Sequence, residues 1–413
     1  MSDETYVVVG GGLAGGRVAE TLREEGFDGD VVLVTVEDRP PYERPVLSKG
    51  YLLGAEPVTS AYLHDAAWWR DHAIDVRTET MVTGLRLDDR LLELEDGGTL
   101  AYDKLALATG SWPRRLDVPG ADLDGVLYLR DMPEAERIKK VLDSGGPLVV
   151  VGAGWIGLEI AAAARTHSVP VTVLETAPLP LQRVLGDDVA TIFAELHRHH
   201  GVDLRLSTGI ARIDGKDGAT VSSVVTSAGD VLPAAAVVVG IGAEPQVDWI
   251  LAAGLRGEDG VDTDATLQTS DPSVWAVGDI AAVDNPALGR RVRIEHWAMA
   301  HDSGPVAARA MLGQGAVFDK LPYFYTDQYD LGMEYVGHVP DVTTTDVVLR
   351  GDATDASEPL AFQAFWLRDG VVEAAMHVNL WDTGIAPLEA LVGKRVDPVR
   401  LADTSVPFDQ LGV

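Results

Sequence analysis

The sequence predicts an α/β fold with two parallel-sheet domains and a smaller third domain of the α+β class. Two observations predict the sheets: the stretches TYVVVGGGLAGGRVAETLREEG, from Thr5, and GPLVVVGAGWIGLEIAAAARTHS, from Gly146, share one pattern. Each is an apolar strand, a glycine turn and a helix, and each is followed by another β-rich run. A third observation, a series of strand-like segments after about residue 321, predicts the last domain.

Both glycine turns have the spacing that binds the pyrophosphate of a dinucleotide. The spacing Gly-x-Gly-x-x-Gly is formed by Gly10, Gly12 and Gly15 and again by Gly152, Gly154 and Gly157. The first glycine allows the tight bend, the second lets the backbone approach the phosphates, and the third lets helix and strand pack closely. An acid follows each turn by about 20 residues, at Glu37 and at Glu175, where a carboxylate can take the ribose hydroxyls. The sequence therefore predicts two Rossmann-like dinucleotide-binding domains.

The composition restricts what the chain can bind. Its 413 residues hold 64 acids and 33 bases, a formal net charge of −31, which argues against binding to nucleic acid or anionic lipid. No residue is a cysteine, so the chain has no disulfide, no thiolate metal site and no redox-active thiol. The acidic start enters a strand at once, and no apolar run reaches the roughly 18 residues of a membrane helix. We therefore expect a soluble, cytoplasmic protein that does not bind membranes.

A run of histidines, LHRHHG from Leu196 to Gly201, has two interpretations. Adjacent histidines can form part of a metal site. At the polar C-terminus of a helix they more often compensate the helix dipole and cap the last carbonyls. The second interpretation is favoured, and no metal is expected.

The motifs together resemble a known family of flavoproteins. Two dinucleotide turns, an ATG segment from Ala108 and a VGD segment ending at Asp279 are similar to the glutathione-reductase-type flavoproteins. The resemblance is narrowed by the stretches RPPYERPVLSK, ATGSWPR, GLEIAA, VWAVGDIA, EHWAMA and DQYDLGMEYVG. These are similar to the NADH-dependent ferredoxin reductases of bacterial monooxygenase and aromatic-ring dioxygenase systems. The resemblance covers nearly the whole chain.

This resemblance implies a domain plan and two cofactors. The plan has a discontinuous FAD-binding domain (residues 1–113 and 241–320), an NAD-binding domain (114–240) and a C-terminal α+β domain (321–413). FAD would bind the first glycine turn, and NADH the second. Because a 2′-phosphate would meet the like charge of Glu175, we expect NADH in preference to NADPH, with Arg183 softening that preference.

The resemblance also implies which residues contact FAD. Asp279 would bond the ribityl chain, Thr109 and Gly110 would touch the flavin, and Arg44 and Lys49 would neutralise phosphate and flavin charge. The nearby Arg39 fits a solvated surface charge instead. The other implied FAD contacts are Gly10, Gly12, Leu13, Ala14, Gly15, Glu37, Pro45, Val82, Ala108, Arg114, Gly278, Glu295, His296, Trp297 and Tyr325.

Two of these contacts belong to a predicted helix that starts at about His296. In the family the N-terminus of this helix points at the flavin N1–C2 edge, where its partial positive charge stabilises reduced flavin. Trp297 would line the flavin ring, and the alternative is an ordinary core aromatic. Tyr325 stands where the family often has a tryptophan that faces the electron acceptor.

The catalytic residues implied by the resemblance are Lys49 and Glu159. We expect them to form a pair beside the contact between nicotinamide and flavin, and the alternative for Lys49 is a surface charge. The implied NAD contacts are Gly152, Gly154, Trp155, Ile156, Gly157, Glu159, Glu175, Arg183 and Gly242.

Because the chain has no cysteine, electrons cannot pass from the flavin to an internal thiol and must leave to an external acceptor. The leading interpretation is an FAD-dependent NADH:ferredoxin oxidoreductase. It would pass a hydride from NADH to FAD and then single electrons to a two-iron, two-sulfur ferredoxin that feeds an oxygenase. A second enzyme interpretation is an NADH-dependent reductase of quinones, small radicals or oxygen. A third is a signalling or nucleic-acid-binding flavoprotein resembling the mitochondrial apoptosis-inducing factors, which would need a basic surface.

Docking of a ferredoxin requires a local basic patch, because ferredoxins of this kind are usually acidic and so is this chain. The candidate docking residues are the bases outside the cofactor motifs, namely Arg290, Arg291, Arg293, Arg309, Lys320, Lys394 and Arg395. The alternative is that these are scattered surface charges that balance nearby acids.

Overall fold

The computed structural model of the chain describes residues 3–216, 218–353 and 359–411. They divide into two compact units, each built from separated stretches of sequence. The first unit is Met1–Pro45, Thr59–Trp112 and Ala243–Pro322, and the second is Val46–Val58, Pro113–Gly242 and Tyr323–Val413. The segment Val46–Val58, which includes Lys49, therefore belongs to the second unit, whereas the predicted FAD-binding domain spans residues 1–113.

The described residues form 26 β-strands. The first half of the chain forms β1 (Thr5–Val9), β2 (Asp30–Val34), β3 (Ile74–Arg77), β4 (Val82–Arg86), β5 (Leu91–Leu94), β6 (Thr99–Ala101), β7 (Lys104–Leu107), β8 (Ser111–Pro113), β9 (Val126–Leu127), β10 (Leu148–Val151), β11 (Val171–Leu174) and β12 (Asp203–Arg205). The second half forms β13 (Ile210–Lys216), β14 (Thr220–Thr226), β15 (Val231–Pro233), β16 (Ala236–Val239), β17 (Ala243–Pro245), β18 (Val261–Thr263), β19 (Val274–Ala276), β20 (Ala281–Asn285), β21 (Arg290–Arg293), β22 (Tyr323–Gln328), β23 (Leu331–Gly337), β24 (Asp346–Asp352), β25 (Ala361–Arg368) and β26 (Val371–Val378).

The helices lie between these strands and after them. They are α1 (Leu13–Glu24), α2 (Pro45–Ser48), α3 (Ala66–Asp71), α4 (Met132–Ser144), α5 (Trp155–Thr166), α6 (Gln182–His199), α7 (Asp248–Ala252), α8 (Trp297–Met311), α9 (Ala386–Glu389) and α10 (Pro398–Ala402). Short 3-10 helices span Val58–Ala61, Gly278–Ile280, Val342–Thr344 and Phe408–Gln410.

The first unit is built on a parallel sheet with the strand order β19-β7-β1-β2-β3. After a polar first residue, its central strands β7, β1 and β2 are apolar because both faces of the sheet are covered: Val7, Leu33 and Leu105 have no exposed surface. Smaller sheets, β18-β20-β21 and β4-β5-β6, extend the unit. The helices α1 and α8 pack closely at Gly304, where a Cβ atom would lie 2.6 Å from the Cβ of Arg17.

The second unit contains another parallel sheet, with the strand order β12-β11-β10-β16-β9, and a small sheet β13-β14-β15. An antiparallel sheet, β22-β23-β26-β25-β24, follows from the C-terminal part of the chain. The indole Nε1 of the fully buried Trp366, on β25, donates to Leu185 O of α6 at 3.0 Å. This bond fixes the antiparallel sheet to a helix of the nucleotide-binding part of the same unit.

The stretch APLEALVGKR, which has the pattern of a closing helix, forms only the single turn α9. Pro387 stands at the start of this helix, where its fixed φ is favourable. Gly393 then adopts a φ of +81°, which ends any helical continuation before Lys394. The helical pattern of the sequence is therefore present, but the helix itself is short.

Candidate functional site

The first glycine turn joins β1 to α1 in the first unit. Gly10 has a φ of +124°, and a Cβ atom there would overlap the carbonyl oxygen of Ala108. A Cβ at Gly15 would overlap Gly10 O, so this glycine permits the close packing of helix and strand. Gly12 differs, because a Cβ atom there would meet nothing within 4 Å. Gly12 is the N-cap of α1 and supplies no capping side chain. The first N–H groups of α1, which begins at Leu13, therefore stay available to bind a phosphate.

The acid predicted to bind the FAD ribose, Glu37, accepts two hydrogen bonds from its own loop. The Tyr42 hydroxyl donates to Oε2 at 2.5 Å, and Nη2 of Arg44 donates to Oε1 at 2.9 Å. Loss of hydration opposes the charge on Arg44, but Tyr42, Glu37 and Asp279 outweigh it and raise the Arg44 pKa. The guanidinium is therefore held in place as a permanent cation, and Pro45 begins α2 directly after it.

The ATG segment is fixed by the backbone of Gln246, the residue directly after β17 in the same unit. Ala108 is buried, and Thr109 donates through Oγ1 to Gln246 O at 2.7 Å. Gly110 has a φ of +67°, and its carbonyl accepts from Gln246 N at 2.9 Å. Val82, another implied FAD contact, is buried in β4. These bonds set the path of the backbone over the predicted flavin contacts.

The VGD segment ends in a 3-10 turn, Gly278–Ile280, beside α1 and α8. Gly278 N donates to Ser303 Oγ of α8 at 3.0 Å, and its φ is +67°. A Cβ at Gly278 would lie 3.0 Å from the Cβ of Ala14, so the turn passes close to the first glycine turn. Asp279 follows, and its charge is one of those that raise the pKa of Arg44.

The predicted helix near His296 begins at Trp297, with His296 as an N-cap that makes no side-chain capping bond. Trp297 is half-buried, donates through Nε1 to Glu43 Oε2 at 2.8 Å and stacks on His301. Its polar contact and partial exposure differ from those of an ordinary core aromatic. Glu295, predicted to contact FAD, accepts from Arg293 Nη1 at 2.6 Å.

The second glycine turn repeats the geometry of the first in the second unit. Gly152 has a φ of +99°, and a Cβ there would overlap Gly240 O; a Cβ at Gly157 would overlap Gly152 O. Gly154 is again open, with Gly240 O at 3.9 Å from a Cβ as its nearest neighbour, and it caps α5 without a side chain. Ile156 in the first helical turn is 41% exposed.

Glu175 stands directly after β11, and its carboxylate is oriented by backbone donors. Ala153 N, inside the second glycine turn, donates to Oε2 at 2.8 Å, and Ala177 N donates to Oε1 at 2.8 Å. The carboxylate is thus tied to the turn that would hold a pyrophosphate. Arg183, predicted to soften nucleotide choice, is exposed on the first turn of α6.

The other implied NAD contacts lie in the same unit. Trp155 packs against Phe193 and Phe324, with ring centroids 5.8 and 5.0 Å away. Gly242 has a φ of +106°, and its carbonyl accepts from Arg114 N at 2.9 Å. Arg114, assigned to FAD from the sequence, therefore lies at the edge of the nucleotide-binding part of the second unit.

Lys49 and Glu159 form an ion pair inside the second unit. Glu159 lies on α5 and is 5% exposed, and Lys49, directly after α2, has a side chain that is 14% exposed. Oε1 of Glu159 accepts from Lys49 Nζ and from Thr326 Oγ1 at 2.6 Å, and Oε2 accepts from Ser48 Oγ at 2.6 Å. The ammonium also lies 5.3 Å from the ring centroid of Tyr325. Three donors therefore hold the buried Glu159 carboxylate in one orientation, and the carboxylate in turn holds the ammonium of Lys49 in place.

Sequence reasoning missed two of these donors. Ser48 is the residue before Lys49 in the quoted stretch RPPYERPVLSK, so a signal was present but was not used. Thr326 lies 167 positions from Glu159 on β22, and no local pattern connects them.

A family model described as pyridine nucleotide-disulphide oxidoreductase matches residues 4–304, and one described as reductase C-terminal matches residues 323–412. The chain belongs to the pyridine nucleotide-disulphide oxidoreductase family. The fold class, the resemblance and the FAD-dependent, nicotinamide-dependent oxidoreductase activity predicted from the sequence are confirmed. Unlike the disulphide oxidoreductases that the family is named after, this chain contains no cysteine and so has no redox-active disulfide.

Individual members of this family are similar to the chain over its full length. It is 39% identical over 411 residues to the ferredoxin–NAD(+) reductase component of an anthranilate 1,2-dioxygenase system from Burkholderia cepacia, with 98% of each chain covered. It is 36% identical over 407 residues to the ferredoxin reductase subunit of a 5,5'-dehydrodivanillate O-demethylase from Sphingobium, covering 98% of this chain and 97% of the relative. A solved covalent complex of putidaredoxin reductase and putidaredoxin has a TM-score of 0.93 and 34% identity, covering 99% of this chain and 98% of that chain.

FAD and NADH, the cofactors of this family member, fit the residues present. Both glycine turns offer uncapped helix N-termini beside an open glycine, which suits a pyrophosphate. When bound, these groups supply the hydride and single-electron chemistry. Both predicted ribose ligands already accept hydrogen bonds. Glu175 accepts from Ala153 N and Ala177 N, and Glu37 accepts from Tyr42 and Arg44.

The histidine run does not act as predicted at every position. The described residues hold no group of three or more His, Asp or Glu that could bind a metal. His197 lies in the last turn of α6, as predicted, but it is fully buried. Its Nε2 lies 2.8 Å from Gln328 Oε1, and its Nδ1 lies 3.1 Å from the Tyr329 hydroxyl. Burial lowers the His197 pKa to about 4, so the ring is neutral and cannot compensate a helix dipole. His200 does stand at the C-cap, where it stacks on Tyr329.

The candidate docking residues of the first unit are largely balanced by acids. Arg291 lies 2.5 Å from Asp262, Arg293 pairs with Asp259 at 3.1 Å, and Arg309 pairs with Glu25 at 2.7 Å. In the second unit Lys394 and Arg395 are both exposed, and Arg395 donates to the carbonyl of Asp369 at 2.6 Å.

Nowhere in ranges 3–216, 218–353 and 359–411 is a helix long and apolar enough to cross a membrane.

Proposed function

We propose that the chain is an NADH-dependent ferredoxin reductase. It takes a hydride from NADH with the help of FAD and passes single electrons to a two-iron, two-sulfur ferredoxin that serves an oxygenase. The proposal is supported by full-length similarity to relatives named as ferredoxin reductase components of a dioxygenase and of an O-demethylase.

The observation that carries the proposal is the absence of cysteine from a member of a disulphide oxidoreductase family. Without a thiol the chain has no internal acceptor, so each electron pair must leave toward an external acceptor. An acceptor that takes one electron at a time needs a flavin between itself and NADH, because NADH delivers two electrons together. The reaction therefore needs both nucleotides, NADH and FAD, and so both glycine turns, but it does not need the disulfide of the family.

The residues divide the work between binding and positioning. The uncapped starts of α1 and α5 would hold the two pyrophosphates, and Arg44 would neutralise phosphate charge. Glu175, which two backbone amides keep in place, would accept from the ribose hydroxyls of NADH. Lys49 and Glu159 would form the catalytic pair, in which the Glu159 carboxylate holds the Lys49 ammonium in place.

We also propose that the enzyme works in the cytoplasm, where NADH is supplied. Fractionation of cells with an antibody to the chain tests this point. Recovery in the cytoplasmic fraction, together with a cytoplasmic marker, is the expected result, and recovery with a periplasmic marker would contradict it.

The experiment that tests the proposed function measures cytochrome c reduction by NADH with the purified flavin-loaded protein. Bacterial two-iron, two-sulfur ferredoxins are added over a concentration series, and a quinone without ferredoxin is the comparison. We expect the rate to rise and saturate with ferredoxin. A rate that is unchanged by every ferredoxin, with rapid turnover on the quinone alone, would favour a quinone reductase instead.

A further inference from the structure

Buried side chains of the second unit form a line of hydrogen bonds that ends on Glu159. The line, called here the polar chain, consists of Tyr329, His197, Gln328, Thr326 and Glu159. Its bonds join the Tyr329 hydroxyl to His197 Nδ1 (3.1 Å), His197 Nε2 to Gln328 Oε1 (2.8 Å), Gln328 Nε2 to Thr326 Oγ1 (3.2 Å) and Thr326 Oγ1 to Glu159 Oε1 (2.6 Å). The polar chain joins α6 and the β22–β23 turn to α5.

Every bond of the polar chain has the same direction. Thr326 donates to the carboxylate, so its oxygen is left to accept from the amide of Gln328. The amide oxygen of Gln328 then has to accept from His197, which must carry its proton on Nε2. Nδ1 is therefore the acceptor for the Tyr329 hydroxyl. Four donors in series thus point toward one buried negative charge.

The polar chain is kept away from water along most of its length. Thr326 and Gln328 are each 1% exposed, and His197 is not exposed at all. A buried polar group without a partner costs about 1–3 kcal/mol, so each member depends on its neighbours for a partner. Only the Tyr329 end approaches the surface, where His200 stacks on its ring at 3.6 Å between centroids.

We propose that Thr326, Gln328 and His197 are positioning residues for the Lys49–Glu159 pair. They act through one another, with the Thr326 hydroxyl as the last donor, and they orient the Glu159 carboxylate so that it presents Lys49 in one place. The inference rests on the proposed function, because it assigns a role in the reaction of NADH with flavin. It also gives the histidine run a use that neither a metal site nor a helix cap supplies.

The polar chain is suited to positioning rather than to proton relay. A side-chain amide donates and accepts, but it does not exchange its proton for another as a hydroxyl or imidazole does. Gln328 therefore interrupts any proton path between His197 and Thr326. A series of fixed donors instead stabilises a charge without moving a proton, in the manner of preorganised dipoles around a charge.

Other charged and titratable groups face the same carboxylate. Lys49 reaches it from the segment after α2, and the phenol ring of Tyr325 on β22 lies under the ammonium. Partial loss of hydration raises the pKa of Asp327 on β22, Lys49 lowers it and Glu159 raises it. A change in pH response after mutation of the polar chain has to be judged with these groups unchanged.

The first experiment replaces the last donor of the polar chain. Thr326→Val removes the hydroxyl at nearly constant volume, and Thr326→Ser keeps it. Thr226→Val is the control, because it removes a buried hydroxyl of β14 in the same unit that accepts from Asp230 N. Flavin reduction by NADH is followed by anaerobic stopped flow between pH 5.5 and 9. We expect Thr326→Val to slow reduction about 10-fold and to move the acid limb of the profile to higher pH. Thr326→Ser should restore both features, and Thr226→Val should match wild type.

The second experiment reads the polar chain without turnover. Nitrogen NMR of the oxidised, flavin-loaded protein, labelled at histidine and assigned with His197→Gln, reports which ring nitrogen of His197 carries the proton. We expect the Nε2–H form in wild type, and in Gln328→Met we expect loss of that single tautomer because the acceptor is gone. A His197 ring protonated on Nδ1 in wild type would overturn the direction of the polar chain.

The outcomes separate this inference from the proposed function. If wild-type flavin is not reduced by NADH, the proposed function fails. If wild type is reduced and Thr326→Val has the same rate and pH profile, the proposed function stands and the positioning role is wrong. Equal slowing of Thr326→Val and Thr226→Val would also overturn it, because the effect would then follow from general loss of stability.

Discussion

Glu175 is a residue whose carboxylate is oriented before any nucleotide arrives. Its two oxygens accept from Ala153 N and Ala177 N, each at 2.8 Å. A carboxylate held there can accept from both ribose hydroxyls of NADH and repels a 2′-phosphate. We predict that Glu175→Ala lowers kcat/KM for NADH about 10-fold or more, because a hydrogen bond to a charged group contributes about 1.5–3 kcal/mol. The ratio of kcat/KM for NADPH to kcat/KM for NADH should rise.

Steady-state kinetics with both nucleotides checks this prediction. Glu195→Ala, which removes an exposed acid of α6 in the same unit, is the matched control and should leave the preference unchanged. Equal kcat/KM values for NADH and NADPH in the wild type would remove Glu175 from nucleotide selection.

His197 gives a prediction about acid stability. Burial lowers its folded-state pKa to about 4, while the unfolded chain titrates near 6.5. Between these values the unfolded state binds a proton that the folded state does not, so stability is full above about pH 6.5 and is lost as the pH falls toward 4. The loss attributable to this group is about 3 kcal/mol.

Urea unfolding of the flavin-loaded protein at pH 7.5 and pH 4.5 measures the effect. We predict that the midpoint falls less between these two values in His197→Gln than in wild type, because glutamine does not titrate. His199→Gln, which changes an exposed neighbour, should follow wild type. The same fall in all three proteins would mean that other groups set the acid limit.

At this scale the sequence could predict those residues that belong to a local motif. The spacing after the second glycine turn named Glu175, whereas Lys49 and Glu159 were named by the family resemblance of the stretches RPPYERPVLSK and GLEIAA. The partners of Glu159 could not be predicted completely, since Thr326 reaches it across 167 positions. The histidine run lies at the end of α6 as predicted, but local polarity does not reveal that His197 is buried there against Gln328 of β22.

At the scale of elements, each glycine turn contains one position that the fold requires and one that a ligand would require. Gly152 has a φ of +99° and no room for a Cβ, whereas Gly154 has room and an ordinary extended φ of −79°. We predict that Gly154→Ala folds normally but weakens NAD⁺ binding by about 1–3 kcal/mol, the usual cost of overpacking. Gly152→Ala should instead destabilise the unit itself.

Thermal unfolding and titration with NAD⁺ distinguish the two positions. The matched pair in the first unit is Gly12→Ala, which should lose FAD, and Gly10→Ala, which should not fold. Unchanged NAD⁺ affinity in Gly154→Ala would show that the pyrophosphate does not approach this glycine.

Elements with a strong pattern were predictable, and their ends were not. The β-strand and helix of each nucleotide turn follow directly from apolar runs and glycine spacing. The end of α9 does not follow from composition: the helix ends at Glu389, although the residues after it have helical composition as far as Gly393, which has a φ of +81°. Likewise α6 has a non-helical residue, Gly186, inside a pattern that reads as one helix.

At the scale of the whole molecule, a net charge of −31 means that attraction of an acidic ferredoxin depends on local bases. In the first unit Arg291, Arg293 and Arg309 pair with acids, so their charges are less available to attract a ferredoxin. We therefore predict that Lys394→Glu with Arg395→Glu raises the ferredoxin KM, flattens its salt dependence and leaves ferricyanide reduction by NADH unchanged.

The control for this prediction is a double reversal with the same change in net charge, Lys139→Glu with Lys140→Glu on α4. Kinetics over a salt series compare the two variants. Ferredoxin kinetics equal to wild type at every salt concentration in the Lys394 and Arg395 variant would move the docking site elsewhere.

The division of the chain into units was only partly open to prediction. Two repeated motifs predict two nucleotide-binding sheets, and both sheets are present. The grouping of Val46–Val58 with the second unit depends on contacts such as Ser48 with Glu159, which are 111 positions apart. Sequence proximity to the first glycine turn could not indicate such long-range contacts.

The central claim is that Lys49, held by Glu159, supports the reduction of flavin by NADH. The most direct test mixes NADH anaerobically with flavin-loaded Lys49→Ala and follows the loss of the oxidised flavin absorbance. The control is Lys139→Ala, which removes a lysine from a surface ion pair with Asp143.

We predict about 100-fold slower reduction in Lys49→Ala, the size expected when a positioned group is lost, with flavin content equal to wild type. Lys139→Ala should reduce at the wild-type rate. Reduction of Lys49→Ala at the wild-type rate would contradict the assignment of the Lys49–Glu159 pair to the catalytic step.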